Sequence, residues 1–374
     1  MARVEAGDIL NRLWASLLAV ITMCVTQTVI AQTAISQPAI AQPAIAQRCI
    51  ADDSDRSSHA SHSVRLDNDV LGGRRQDQNY TGGTIVTVVS PNLNSFTDDP
   101  CLSSATRWLN RKLSWLQPVD VPLRNMVFGL SHLAFTPGDR LRADVITDDR
   151  PYAAALLFNI GYNGRNDATM HTTQLRFGLV GPGAQGERVQ NVYHDSLGLK
   201  RFAGWNNQLR NEWVAQLLYE RLYRWSTAEP ARGWGSDVIS HWGASLGNYA
   251  THANAGAEWR FGWRVPDDFG SAPMRPAGES VAPSNVANPN SGWAAHMFVS
   301  LDARAVLRDM TLDGNTLSDS HHVDKRHWVA DFGFGWVLRF GVWKLAMTRY
   351  YRTREFNEQR ELPAFGSISI SRRI

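Results

Sequence analysis

The clearest chemical feature of the sequence is one histidine among amide side chains, in the stretch Gly178–Glu212. Gln190, Asn191 and His194 follow a turn broken by glycine and proline. No Gly-x-Ser-x-Gly elbow supplies a nucleophilic serine, and Ser196 lies only two residues after the histidine. A catalytic His194 would therefore have to activate water, with an electrophile to stabilise the oxyanion. The alternative is a loop histidine with a purely structural hydrogen bond.

A second group of candidate residues lies far upstream, around the first predicted hairpin. Asn68 and Asp69 end the first predicted strand, and Thr81 lies near the start of the second. Their carboxylate, amide and hydroxyl groups are the oxygen ligands that calcium prefers. Adjacent strand residues point to opposite faces, so a bulge is needed to bring Asn68 and Asp69 to one face. The alternative is a turn-flanking pair without a ligand.

A third group of candidates is cationic. Arg140 and Arg142 lie in the loop that starts after Phe135-Thr136-Pro137, and guanidinium groups of this kind bind phosphates. At the end of the same loop, Asp149 and Arg150 are expected to form a local ion pair.

The elements that position these residues alternate with a period of two. Between Asp331 and Val342, for example, Phe332, Phe334 and Trp336 share one face. About twelve such segments follow Ser61, and the faces opposite the aromatics carry glycine and polar residues of mixed charge. Tryptophans cluster near segment ends, at Trp225, Trp234, Trp242, Trp259, Trp263, Trp328 and Trp343. The pattern predicts an all-β protein, a transmembrane antiparallel β-barrel of about 12 strands, rather than a soluble β-sandwich.

The chain divides into three predicted parts. Residues 1–31 have the charged start, apolar run and small residues of a signal peptide, and residues 32–60 form an Ala/Pro/Gln-rich linker. Residues 61–374 are predicted to form the barrel with its active-site loops. Cys49 and Cys101 can form a disulfide in an oxidising compartment, although their spacing does not decide it. The formal net charge of +3 gives no sign of nucleic-acid binding.

Four long loops interrupt the alternation, and we expect them on one side of the barrel. One of them has helical periodicity over Ser103–Trp115. The loops are Pro91–Arg124, Gly138–Pro151, Gly183–Asn211 and Val265–Gly292.

An ordered set of short motifs resembles the outer-membrane lipid A 3'-O-deacylases. The resemblance runs from about Ser61 to the C-terminus, in the family's order. The motifs are Asn68-Asp69, Tyr80-Thr81-x-Gly83, Phe135-Thr136-Pro137, Asp149-Arg150-Pro151-Tyr152-Ala153, Gly181-Pro182-x-x-x-Gly186, Gln190-Asn191-x-x-His194, Gly204-Trp205-x-Asn207-Gln208-Leu209 and Phe365-Gly366.

The resemblance implies a twelve-stranded barrel in the outer membrane with its site between the wall and the outer loops. It implies calcium-dependent hydrolysis of the ester-linked acyl chains at the 3' position of lipid A, within lipopolysaccharide. His194 would be the base that activates water, Asn68 and Asp69 would lie beside the cation and the ester, and Thr81 would line the site. We also predict that the protein is a monomer.

Some positions depart from the family pattern. An acidic residue that follows the histidine in the family is replaced by Lys200. If that acid is a metal ligand or orients the histidine, Glu187 or Glu212 would have to substitute for it. We therefore predict Glu187 as a third calcium ligand beside Asn68 and Asp69, and we assign substrate binding to Arg140, Arg142 and Lys200. Two other functions stay open, a non-catalytic barrel or pore and a serine-dependent outer-membrane phospholipase.

Overall fold

The computed structural model describes residues 60–69, 71, 78–100, 102–226, 233–271 and 292–373. The predicted signal peptide, all of the linker except residue 60, and both Cys49 and Cys101 lie outside these residues. The signal peptide, the linker and the disulfide therefore stay predictions.

The described chain forms one closed antiparallel barrel of 12 strands, in which β12 pairs with β1. This confirms the predicted fold class. The strands are β1 Ser61–Asn68, β2 Asn79–Val89, β3 Leu123–Thr136, β4 Ala153–Arg165, β5 Thr169–Val180, β6 Glu212–Ser226, β7 Trp234–Gly247, β8 Ala250–Trp263, β9 Trp293–Asp309, β10 Trp328–Phe340, β11 Trp343–Arg352 and β12 Ala364–Arg373.

In the described loops there are three α-helices. They are α1 Ser104–Lys112, α2 Gly186–Leu197 and the single-turn α3 Met310–Asp313. Helix α1 falls within the predicted helical stretch, and a 3-10 turn at Ser114–Leu116 continues it. Within the described ranges, no helix has the length and apolar character needed to cross a membrane.

The alternation of residues becomes the two faces of the wall. On β10, Phe332, Phe334 and Trp336 are exposed on the outer face, whereas Asp331 and Val337 are buried in the lumen. Each strand buries its polar face inward, the reverse of a soluble barrel, because the outer face contacts lipid.

Ion pairs fill much of the lumen. The guanidinium of Arg260 is fully buried and donates to both carboxylate oxygens of Asp237, at 2.8 and 2.6 Å, and to Asp268. Asp268 belongs to the segment after β8, which turns back into the barrel. Farther along the lumen, Arg352 bonds Asp331 at 2.6 and 2.9 Å. The residues of mixed charge that the sequence places opposite the aromatics therefore pair with one another inside the barrel.

Exposed tryptophans mark both ends of the wall. Trp225, Trp234 and Trp343 lie where strands meet the turns at one end, as predicted, and Trp328 lies at the other end. The prediction is wrong for Trp242, which lies near the middle of β7 and faces lipid there.

The two ends of the barrel differ in what they carry. We call the end where β1 begins and β12 finishes the terminus end, and the opposite end the site end. The expectation that all four long loops share one side is wrong. The loops after β3 and β5 lie at the site end, whereas those after β2 and β8 lie at the terminus end. Because consecutive antiparallel strands end at alternating ends of the barrel, loops that follow odd-numbered strands lie at the site end and loops that follow even-numbered strands lie at the terminus end.

Replacing Arg260 by alanine should destabilise the barrel by about 3–5 kcal/mol, because Asp237 and Asp268 would stay buried without their main counterion. Urea unfolding of the refolded protein in lipid vesicles measures the change. The matched control is Arg354→Ala, which removes an exposed arginine at the site end. Equal midpoints for the two variants would contradict this account of the lumen.

Candidate active site

Helix α2 lies against the outer surface of the barrel, not in the lumen. A Cβ atom added at Gly186, its first residue, would lie only 2.3 Å from the Cβ of Ala154 on β4. Just before the helix, the carbonyl of Ala184 is 2.9 Å from Nε2 of His132 on β3. Ala154 and His132 face the same way along their strands as the exposed Phe158 and Phe128. The helix therefore covers the outer wall at the site end.

An aromatic cluster fixes the helix to the wall. Tyr152 packs against Phe202 and Trp205, with ring centroids 6.1 and 5.1 Å apart. These rings cover Ala134 and Ala154, whose small side chains leave room for them. The segment after α2, which carries Phe202 and Trp205, therefore holds α2 against β3 and β4.

His194 is held in one orientation in the last turn of α2. Its side chain is 5% exposed, its ring centroid lies 5.3 Å from that of Phe202, and its Nδ1 is 2.6 Å from the carbonyl oxygen of Lys200. Because a carbonyl oxygen only accepts, Nδ1 is the donor, and Nε2 of the neutral ring carries the lone pair. This is the tautomer that a general base needs.

A left-handed residue makes this contact possible. Gly198 ends α2 with φ of 68°, and the next amide, of Leu199, donates to the carbonyl of His194 at 2.8 Å. This reversal brings the carbonyl of Lys200 back to the imidazole. The backbone thus provides the orienting acceptor for which the sequence suggested Glu187 or Glu212.

Gln190 is a site residue that the sequence reasoning left without a role. It lies one turn before His194 on the same helix face, and it is 7% exposed. Nε1 of Trp205 donates to its Oε1 at 2.9 Å, whereas its Nε2 has no hydrogen-bond partner among the described residues. A buried unsatisfied amide donor is costly, so it marks a position where a ligand oxygen can bind. The signal in the sequence was the spacing of four residues between Gln190 and His194, which puts both on one face of a helix.

Asn68 and Thr81 lie on the wall near α2. Asn68 is the last residue of β1, and its Nδ2 donates to the carbonyl of Thr81 at 3.1 Å. Thr81 occupies a β-bulge, and its hydroxyl lies 2.6 Å from that of Thr136. Asp69 follows the strand end, buried, and accepts from the amide of Gln78 at 2.6 Å. The bulge therefore lies on β2 and not between Asn68 and Asp69, because β1 ends before Asp69.

A row of paired residues connects Asn68 with the helix. Asn68 pairs with Gly82, Gly82 with Ala134, and Ala134 with Ala154, beneath the start of α2. Three strand spacings place the two ends about 14 Å apart. The side chains between them are small, so the row forms a shallow floor.

A second contact joins α2 to this wall one row farther into the membrane. The hydroxyl of Tyr193 lies 3.3 Å from that of Thr84 on β2. The structure therefore brings β1, β2 and α2 together on one outer surface. We call the surface between Asn68 and His194 the outer-wall niche.

The predicted substrate-binding residues lie at the rim of the niche. The carbonyl of Arg140 accepts from the amide of Ala203 at 2.9 Å, which attaches the β3–β4 loop to the segment after α2. Arg142 is exposed, and the side chain of Lys200 is also exposed while its carbonyl holds His194. Glu187 is exposed in the first turn of α2, seven residues before His194, or about 10 Å along the helix.

A cavity of about 380 Å³ adjoins Asp69 at the site end. Gln78, whose amide binds Asp69, is one of its lining residues. The lining carries more carboxylates than cations, with Asp139, Asp148, Asp149, Glu358 and Glu361 against Arg142 and Arg360.

Asp149 and Arg150 separate instead of forming the expected local ion pair. Arg150 is fully buried and donates to Glu355 at 3.3 Å and to the hydroxyl of Thr311 at 2.8 Å. Asp149 accepts from the backbone amides of Gly138 and Arg150, both at 2.7 Å. Burial raises the pKa of Asp149 above its usual value, and these two hydrogen bonds only partly offset it.

The donor chemistry of the niche fits a hard cation at Asn68 and Asp69. A buried carboxylate and an adjacent amide oxygen are calcium-type ligands. In the part of the chain that the structure describes, no group of three His, Cys, Asp or Glu side chains could hold a metal ion. A calcium ion would therefore need backbone, water or substrate oxygens as well. For the predicted role of Glu187 as a calcium ligand, the one supporting observation is that Glu187 shares a helix face with His194.

The fold and the niche define an integral outer-membrane β-barrel whose candidate site lies on its lipid-facing wall. The family model described as "Outer membrane protein LpxR" matches residues 24–374. The chain therefore belongs to this family, and the predicted resemblance to the outer-membrane lipid A 3'-O-deacylases is confirmed.

Among the similar solved structures, the first one supports the fold. LpxR from Salmonella typhimurium has a TM-score of 0.67 and 15% identity, covering 84% of this chain and 100% of that chain. The β domain of the Bordetella autotransporter BrkA has a TM-score of 0.37 at 8% identity, covering 84% of this chain and 98% of that one. No curated protein sequence matches the chain.

Replacing Gly186 by valine should displace α2, because the new side chain would overlap Ala154 and Trp205. We expect faster amide hydrogen exchange across α2, with the exchange of the barrel strands unchanged. Gly233→Val is the matched control, since the nearest atom to a Cβ there is 3.8 Å away. Unchanged protection of α2 in the Gly186 variant would show that the helix is not held against the wall.

Proposed function

We propose that this protein hydrolyses the ester-linked acyl chains at the 3' position of lipid A, with His194 as the base that activates water. The observation that carries the proposal is the hydrogen bond from Nδ1 of His194 to the carbonyl of Lys200 on the outer wall. A base held there would face lipid at the site end, the end of the wall where exposed Trp328 lies.

The reaction needs few groups from the protein. Nε2 of His194 takes a proton from water while the water oxygen attacks the ester carbonyl carbon. The tetrahedral intermediate then expels the sugar oxygen, which takes the proton back from the imidazolium. The products are a fatty acid and the free sugar hydroxyl.

The developing oxyanion needs a donor or a positive charge. The Nε2 group of Gln190 is a buried amide donor one helix turn from His194, and it supports this role. Calcium, when bound at Asn68 and Asp69, would polarise the ester carbonyl as a Lewis acid. Thr81 fixes this part of the wall through Thr136.

The cationic rim suits the phosphorylated sugar of lipid A. Arg140, Arg142 and Lys200 lie around the niche at the site end, where they can meet phosphate groups. The acyl chains would then extend along the exposed wall, over Phe128 and Phe158.

Two observations speak against the other functions. Buried ion pairs such as that of Arg260 with Asp237 occupy the lumen, which disfavours a pore. Ser196 is exposed, and its hydroxyl donates to the carbonyl of Tyr193 at 2.8 Å, which disfavours it as a nucleophile.

His194→Gln should lower lipid A deacylation by about 10²–10⁴-fold, because an amide cannot act as a base. Mass spectrometry of lipid A after incubation with purified protein measures the loss of the acyl chains. His322→Gln is the control, since His322 is exposed in the loop before β10. Full activity of the His194 variant would reject the proposal, and covalent inactivation by a serine-directed inhibitor would favour the phospholipase mechanism.

Chelation of calcium should abolish deacylation, and added calcium should restore it. Isothermal titration with calcium alone should show binding to the wild type that is lost in Asp69→Asn, because the variant lacks the carboxylate. Asp144→Asn, in an exposed part of the β3–β4 loop, should bind as the wild type does. Activity that survives exhaustive chelation, together with no calcium binding, would remove the metal from the mechanism.

A further inference from the structure

Helix α1 also lies on the outer surface of the barrel, at the terminus end. Asn110 of α1 is fully buried, and its Oδ1 accepts from the hydroxyl of Tyr162 on β4 at 2.8 Å. Its Nδ2 lies 3.1 Å from the sulfur of Met126 on β3. Tyr162 and Met126 face the same way as the exposed Phe158 and Phe128 of their strands, so the helix covers the lipid-facing wall.

The segment after α1 packs on the same wall. A Cβ at Gly164 would lie 2.6 Å from Pro118 and 2.7 Å from Val121. Phe96, before the helix, makes an edge contact with Tyr162 at 5.0 Å. The segments before and after α1 therefore both pack on the outer wall, which places the helix between them outside the barrel.

The free face of α1 combines indole rings with cations. Trp108 is 57% exposed and Trp115 is 65% exposed, and Arg111 and Lys112 between them are exposed as well. The spacing of three and four residues places Trp108, Arg111 and Lys112 on one side of the helix, and Trp115 lies in the 3-10 turn that continues it. The first turn contains no acidic residue.

The exposed face of α1 lies at the same end of the wall as the tryptophans that mark the bilayer surface. Exposed Trp225, Trp234 and Trp343 mark the same end of the wall. On β3, the residues beyond α1 toward the site end are Phe128 and Leu130, both exposed to lipid. The helix thus begins where the apolar wall stops, next to headgroups instead of acyl chains.

We propose that α1 is an interfacial helix that binds anionic phospholipid headgroups at the terminus end of the barrel. The indoles of Trp108 and Trp115 lie among the headgroups, while Arg111 and Lys112 bind their phosphates. A protein partner is the less favoured occupant, because the helix continues a surface that lipid already covers. This role does not depend on the proposed deacylation.

A local lipid probe tests the proposal on the full chain. Trp115→Cys, in a chain with its own cysteines replaced by serine, carries a bimane fluorophore. In vesicles, we compare its quenching by brominated phosphatidylglycerol and by brominated phosphatidylcholine. We expect quenching by both lipids with a clear preference for the anionic one, and this preference should fall roughly tenfold in Arg111→Glu/Lys112→Glu.

Arg326→Glu/Arg354→Glu makes the same charge change at exposed positions of the site end, and it should leave the preference intact. Heat-dependent migration on gels shows that each variant forms the barrel. No quenching by either lipid would place α1 in water and overturn the proposal. Equal quenching by the two lipids, or a preference that the α1 charge reversal leaves unchanged, would also overturn it.

Discussion

A barrel in lipid has to pair all of its backbone donors and acceptors within its own wall, and in this protein that closure also decides where chemistry can occur. Twelve strands close a lumen that side chains largely fill, with Arg260 and Arg352 each bound to two carboxylate groups. Buried charges of this kind disfavour the acyl chains of a lipid in the interior. The outer wall is the surface that a lipid reaches by lateral diffusion, and the candidate site is there.

The same stretch of wall carries both outer helices. Helix α1 covers β3 and β4 at the terminus end, through Met126 and Tyr162, and α2 covers them at the site end, through Ala134 and Ala154. Under α2 the wall residues are small alanines, and under α1 the side chains of Met126 and Tyr162 contact Asn110 of the helix. The exposed Phe128 and Phe158 remain between the helices as a lipid-facing band. The two helices therefore meet the two headgroup regions of one bilayer.

The sequence was sufficient for the fold because the barrel has a strong local signature. The period of two on β10, with Phe334 out and Asp331 in, needs no tertiary information. The side of each long loop could not be read in the same way, because it depends on the parity of the strands before it. The mid-wall position of Trp242 was missed since a strand's ends are set by its neighbours.

For the site, the sequence indicated the candidate side chains but not the contacts that orient them. His194 and its amide neighbours stood out by spacing, but the backbone acceptor at Lys200 has no side-chain signature. Gly198, whose left-handed conformation brings that carbonyl to the imidazole, has nothing in the sequence to distinguish it from other glycines. Gln190 became a candidate only when its burial and its bond with Trp205 were known. The joining of Asn68 to α2 through Gly82 and Ala134 required the strand register.

The most direct test of this account is where lipid A binds. A photoreactive residue replaces either Val86, which faces lipid just below Thr84, or Phe334, which is similarly exposed near the middle of β10, four strands away around the barrel. The protein is embedded in phospholipid that contains a small fraction of lipid A. The account predicts cross-linking of lipid A from position 86 well above that from position 334. Equal cross-linking from both positions would contradict a binding site on the outer-wall niche.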